Sequence, residues 1–99
     1  MNVERWKRFT LQQQMGHLTS EIVRARLWED RLDHESRDRA LERALELMDV
    51  TLQCYTKSRR RELARFREII AHLLVRSGEY GVTLLEAEQF GLSFVLSQS

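Results

Sequence analysis

The sequence predicts an all-α fold: an up-and-down bundle of three long helices and a shorter fourth, in a single domain spanning residues 1–99. Three observations predict it. The chain contains no proline. Proline removes a backbone donor and clashes inside a helix, so its absence suits long uninterrupted helices. Apolar residues recur at alternating spacings of four and three, the repeat of one helical face. Helix-start residues stand just ahead of the apolar runs.

The first helix is expected over about residues 11–31. Thr10 and Gln13 form a capping-box pattern, in which each side chain satisfies a free backbone N–H. Leu11, Met15, Leu18, Ile22 and Ala25 then share one face. Gly16, Ser20, Val23 and Leu27 form a neighbouring stripe, and Gly16 reads as a point where another helix comes close. Phe9 is placed to fold back on the first turn as a hydrophobic staple. The second helix is expected over about residues 36–55, capped by Asp33 or Ser36. Its acidic first turn, Glu35 and Asp38, suits the positive end of the helix dipole. Two adjacent stripes, Leu41-Leu45-Met48-Leu52-Tyr55 and Ala40-Ala44-Leu47-Thr51-Cys54, give it a wide apolar face that meets more than one neighbour.

Ser58 is the expected cap of a third helix over about residues 58–76, with Leu63, Phe66, Ile70 and Leu73 as its main stripe. Arg76-Ser77-Gly78 is a stop signal: a cation in the last turn and glycine just beyond. Thr83 and Glu86 form a capping box for a fourth helix over about residues 84–95, burying Leu84, Ala87, Phe90 and Phe94. Gly91 puts its far end in question, and Ser97–Ser99 read as a frayed tail.

Composition sets limits on function. A chain of 99 residues buries a modest share of its surface, so partner chains would add to its stability. The single cysteine, Cys54, excludes an intramolecular disulfide and suits a reducing compartment. On its apolar stripe it reads as a buried, inert thiol. Trp28 reads as packing rather than a ligand platform. Residues 1–9 lack an apolar core of signal-peptide length, and no apolar run is long enough to cross a bilayer. These features point to the cytoplasm. No cofactor motif is present, and neither is a phosphate-binding glycine loop or a Ser/His/Asp grouping.

Three stretches, Leu11–Glu21 (LQQQMGHLTSE), Arg39–Leu52 (RALERALELMDVTL) and Glu62–Ile70 (ELARFREII), resemble a group of short bacterial helical proteins without an assigned activity. The resemblance covers the first three helices and implies an all-α bacterial protein of unknown function.

Charge is distributed unevenly. Residues 56–76 carry seven Lys/Arg against two acids, a net of +5, whereas residues 33–55 carry a net of −3 and residues 77–99 hold three acids and no base. Lys57, Arg59, Arg60 and Arg61 sit in the first turn of the third helix, where the dipole disfavours cations. Two readings offset that cost. The cluster pairs with acids of the second helix, the C-terminal segment or another subunit. Alternatively, it binds phosphate of an anion or nucleic acid, helped by the free N–H groups of the helix start. Near-neutral overall charge, +1, argues against a dedicated nucleic-acid binder.

Arg67 and His72 have four residues between them. This spacing resembles the motif of the HEPN group, all-α proteins that often act as toxin ribonucleases. The resemblance implies Arg67 and His72 as a catalytic pair for phosphodiester cleavage, the imidazole being suited to proton transfer. Glu68 stands where that motif most often has asparagine. With 14 arginines and three histidines in the chain, about one such spacing arises by chance. The plainer reading is a surface pair of Glu68 and His72 on one helical face. Di-iron bundles use Glu-x-x-His pairs. The four-residue spacings of His17/Glu21 and Glu68/His72 lack matching carboxylates, so no metal site is expected. The sequence therefore points to a non-enzymatic interaction or regulatory module acting as a homodimer or on a protein partner. Phosphate binding and ribonuclease activity are the alternatives.

Overall fold

The computed structural model describes residues 2–75 and 81–96, without the side chains of 81–83. The described chain is all-α: α1 Val3–Trp6, α2 Leu11–Asp30, α3 His34–Leu52, α4 Lys57–Val75 and α5 Gly81–Leu96. The short α1 stands ahead of the four helices that the spacing predicts. The stop signal at Arg76–Gly78, the Thr83 side chain of the second capping box and the 97–99 tail lie outside the described residues.

Local chemistry sets the helix ends. Gln13 N–H donates to Thr10 Oγ1 at 3.2 Å and Thr10 N–H donates to Gln13 Oε1 at 2.9 Å, so the predicted capping box is present. The Phe9 ring passes the first turn and rests on His17 and Trp6, with centroids 5.4 and 5.6 Å away. α2 closes through Leu32, which takes a left-handed φ of 60°. Leu32 N–H donates to the Glu29 carbonyl and Asp33 N–H to the Trp28 carbonyl, both at 2.9 Å. These are the paired bonds of a Schellman turn, with leucine where glycine would avoid the steric cost. Asp33 then caps α3, accepting from Ser36 N–H at 3.0 Å and from the Ser36 hydroxyl at 2.9 Å. With Asp33 as the cap, α3 begins at His34 rather than at residue 36, and it ends at Leu52, short of Tyr55. The turn into α4 passes through Lys57 at φ 55°. The helix range opens at Lys57, one residue ahead of the expected cap Ser58.

Most of the core stripes read from sequence are buried, while Leu11, Leu45, Leu47, Tyr55 and Phe90 are partly buried at the edge of the core. Met15, Leu18, Ile22 and Ala25 of α2 meet Ala40, Leu41, Ala44 and Met48 of α3 in one cluster. Leu63, Phe66, Ile70 and Leu73 of α4 and Leu84, Ala87 and Phe94 of α5 complete it. α2 packs on α3, α3 on α4, α4 on α5, and α5 returns to α2. Thr19 faces Gly91 and Arg26 bonds Glu88, so α5 runs antiparallel to α2.

The glycines exchange the roles expected of them. Gly16 is not a point of helix contact: a Cβ there would have no neighbour within 4 Å. Close approach occurs instead at Gly91, where a Cβ would collide with Thr19 Oγ1 and come within 3.3 Å of Phe66 Cζ. Gly91 does not end α5, which continues to Leu96.

Two predictions follow from these ends and contacts. Gly16→Ala should stabilise the fold by about 0.5–1 kcal/mol, because alanine is the better helix former and space is free. Gly91→Ala should cost about 1–3 kcal/mol by overpacking. Chemical denaturation reads both, and equal signs would contradict the contrast. The Ser36 bonds, backbone first, also hold the Asp33 carboxyl below its ordinary value of 3.8. A depressed folded pKa gives stability that is complete above the unfolded value and is lost as pH falls through the folded one. Asp33→Asn keeps a capping oxygen but cannot titrate. It should lose less stability than the native chain when urea melts are repeated down the acid range.

Candidate functional site

The basic start of α4 does not act as one cluster. Arg59 pairs loosely with Glu62 of its own helix at 3.8 Å. Arg60 donates to the Leu52 carbonyl, placing a cation on the negative end of α3, which the dipole favours. Lys57 is exposed. Arg61 instead lines a groove between α4 and α5. The acids of α3 and α5 that the sequence offered to this cluster are partly taken elsewhere. Asp49 accepts from Arg67 Nε at 2.6 Å and Glu88 from Arg26 Nε at 2.8 Å.

Arg67 and His72 are not brought together. Arg67 turns to Asp49 on α3, and this bond raises its pKa above the ordinary arginine value. His72 lines the α4–α5 groove on another side of the helix. Of the metal-spaced pairs, Glu21 is held by Arg24 at 2.7 Å and by Arg43 of α3 at 2.6 Å. His17 lies against the rings of Trp6 and Phe9. Among the described residues no three His, Cys, Asp or Glu side chains gather as metal ligands, and no helix is long and apolar enough to cross a membrane.

The groove has a volume of about 860 Å³. Its apolar lining is Ile69, Ala87 and Phe90; Arg61, Glu62, Arg65, Glu68, His72 and Glu86 stand around it. On the outer side of α5, Leu85, Leu92 and Leu96 remain 40%, 37% and 77% exposed. Their spacings of seven and four place them within an arc of about 40° on the helix. The arc lies on the side of α5 nearest α2, beyond the line of Glu88, which contacts α2. Across from it is the second stripe of α2: open Gly16, half-buried Val23 and Leu27, which is 50% exposed. Exposed apolar residues thus line the two facing flanks of α2 and α5. The inward stripe of Leu84, Ala87 and Phe94 is the one read from the sequence; only the packing places the leucine face beside α2.

Two buried polar arrangements carried no sequence signal. Arg37, with 3% of its side chain exposed, bonds Glu29 at 2.7 Å and Asp38 at 3.1 Å, tying the α2–α3 turn. Burial works against its charge, but these bonds outweigh it and raise its pKa. At the other end of the pair, Trp6 Nε1 donates to Thr51 Oγ1 at 2.9 Å. Gln14 Nε2 donates to the Trp6 carbonyl at 3.0 Å, and Tyr55 OH to Gln14 Oε1 at 2.7 Å. Burial, then the neighbouring Cys54, pushes the Tyr55 pKa up. Cys54 is half-buried rather than sealed in the core, with Sγ 4.0 Å from Gln14 Nε2. Trp28 is half-buried beneath the Arg31 guanidinium, 5.4 Å from its centroid.

Comparison of the chain with protein-family models, curated proteins and solved structures found no match. Trp6→Ala should cost about 3 kcal/mol through the cavity it leaves, and by loosening the N-terminal segment, whose Trp6 carbonyl holds Gln14 beside Cys54, it should accelerate alkylation of the thiol. An unchanged alkylation rate in a destabilised variant would show that the N-terminal segment does not shield the thiol.

Proposed function

We propose that the chain is a non-enzymatic helical interaction module that works as a homodimer, pairing through the outer face of α5 and the adjoining shoulder of α2. One observation carries the reading: Leu85, Leu92 and Leu96 lie exposed on one face of α5, beside exposed Leu27. Burying such a surface against a copy of itself is the commonest route to assembly, and each fully buried leucine contributes about 1.5–3 kcal/mol. On this reading the helices of 20, 19, 19 and 16 residues form an up-and-down bundle with a shorter last member. The protein is then a cytoplasmic bacterial one, in keeping with the family resemblance of its first three helices.

Light scattering at high micromolar concentration should give the mass of a dimer, and Leu92→Lys should give a monomer of unchanged helicity. A native chain that stays monomeric refutes the reading.

A second reading, phosphate binding, draws on the exposure of Lys57, Arg59 and Arg61. It requires affinity for single-stranded nucleic acid that falls steeply as salt rises.

A further inference from the structure

We infer that the end of the bundle where α4 begins binds the sugar–phosphate backbone of a single-stranded nucleic acid, and that α1 supplies part of this surface. The inference rests on the phosphate-binding reading and adds the N-terminal segment to it. It does not depend on the homodimer.

The first support is a juxtaposition that the chain order conceals. Arg5, Lys7 and Arg8 are distant in sequence from Lys57, Arg59, Arg60 and Arg61, yet the fold holds both runs at one end of the bundle. Trp6, 4% exposed, is buried amid the first run, and its Nε1 donates to Thr51 Oγ1 in the last turn of α3. Asn2 caps α1, accepting from Glu4 N–H at 3.0 Å and from Arg5 N–H at 3.3 Å. The chain passes from the last turn of α3 into α4, and Arg60 donates back to the Leu52 carbonyl. The Tyr55–Gln14 bond and the Thr19–Gly91 contact bring the start of α2 and the last turn of α5 to this end as well.

The second support is charge. Residues 2–16, 51–65 and 94–96 make up this end. They carry eight Lys/Arg against Glu4 and Glu62, a net of +6, in a chain whose total is +1, so the rest carries −5. At the opposite end, residues 29–39 carry five acids against three arginines, a net of −2. The near-neutral total therefore hides a basic surface. All eight of its cations are exposed. Glu4 reaches Lys7 only at 3.5 Å, and Glu62 reaches Arg59 at 3.8 Å. Arg5, Arg8, Lys57, Arg61 and Arg65 hold no carboxylate among the described residues. Like charges held together repel one another. A polyanion relieves that repulsion and gains by releasing its own counterions.

The third support decides the kind of polyanion. Six of the eight cations are arginine, whose planar fork gives a phosphate two donors at once. A lipid surface requires apolar side chains to insert, and among the described residues Leu96 is the one large hydrophobic residue exposed at this end. A duplex groove takes a helix or a ribbon lying along it, whereas these cations stand around helix ends. A single strand is flexible enough to follow them. Rings for its bases lie in the same region: Phe9, half-buried, rests on exposed His17 with centroids 5.4 Å apart. Stacking on such rings tolerates any base.

The test uses the full chain and a fluorescent oligouridylate of about twelve nucleotides, with binding read by anisotropy across a salt series. One variant carries Arg5→Gln, Lys7→Gln and Arg8→Gln. A second carries Lys57→Gln, Arg59→Gln and Arg61→Gln. A control carries Arg24→Gln, Arg31→Gln and Arg39→Gln, an equal loss of charge outside this end. Thermal melts confirm that each folds. Each phosphate contact contributes about −0.7 to the slope of log affinity against log salt. Both end variants should therefore bind at least about tenfold more weakly and flatten the slope by about 2. The control should stay within about twofold of the native chain, because screening mutes distant charges. If only the second variant loses binding, α1 is not part of the surface, and the inference falls while the phosphate-binding reading stands. A control that loses as much as the end variants shows a response to net charge alone and overturns the inference. So does binding to phosphatidylserine vesicles without binding to the oligonucleotide. A native chain with no affinity for the oligonucleotide at low salt removes both readings.

Discussion

The seat of α5 on α2 depends on one steric constraint, the absence of a side chain at Gly91 opposite Thr19. On the same pair of helices Arg26 reaches Glu88. Once that contact is set, the rotation of α5 is set with it. Leu84, Ala87 and Phe94 go inward, Phe90 and Phe94 stack around Phe66, and Leu85, Leu92 and Leu96 are left outside. The apolar outer face follows from the same contact that closes the core. Thr19 Oγ1, buried against Gly91, finds no hydrogen-bond partner among the described residues, a cost set against the close packing.

Electrostatics divides the protein into two sides. Along α2 and α3, charges are spent internally: Glu21 holds Arg24 and Arg43, and Glu29 holds Arg37. The last of these is a buried pair, whose desolvation consumes much of its Coulomb energy. Its clearest effect is on geometry, since a buried Arg37 without Glu29 would be an uncompensated charge, so the α2–α3 turn admits one arrangement. Along α4, the cations of the first turn are dispersed. Arg60 goes to the end of α3 and Arg59 to its own helix, while Arg61 and Arg65 remain at the groove. The cost of placing cations at a helix start is offset by the Leu52 carbonyl at Arg60 and by Glu62 at Arg59.

An interaction module fits this division. The α2–α3 pair is tied by ion pairs at the turn and by the Trp6–Thr51–Gln14–Tyr55 bonds at the opposite end, which makes a stiff base. α5 rests on that base through a glycine contact and presents leucines. The groove beside it is lined by long, charged side chains around Ile69, Ala87 and Phe90.

The sequence by itself determined the helices, their starts and their inner faces. Proline's absence, the Thr10–Gln13 box, the Asp33 cap and the four-three spacing are local properties, and each acts within one or two turns of the chain. The α4 stripe of Leu63, Phe66, Ile70 and Leu73 could be read at full length because its burial needs only a helix and an interior. Tertiary structure alone decided which glycine is a contact and which is open, because a Cβ-sized gap is a property of two helices together. It also decided where each arginine goes. Fourteen arginines and 15 acids allow many pairings, and only the distances between helices select among them. The leucines of α5 show both parts: their spacing and the inward stripe of Leu84, Ala87 and Phe94 are local and were written in the chain, but their place beside the open stripe of α2 is a property of the two helices together, set where Gly91 meets Thr19.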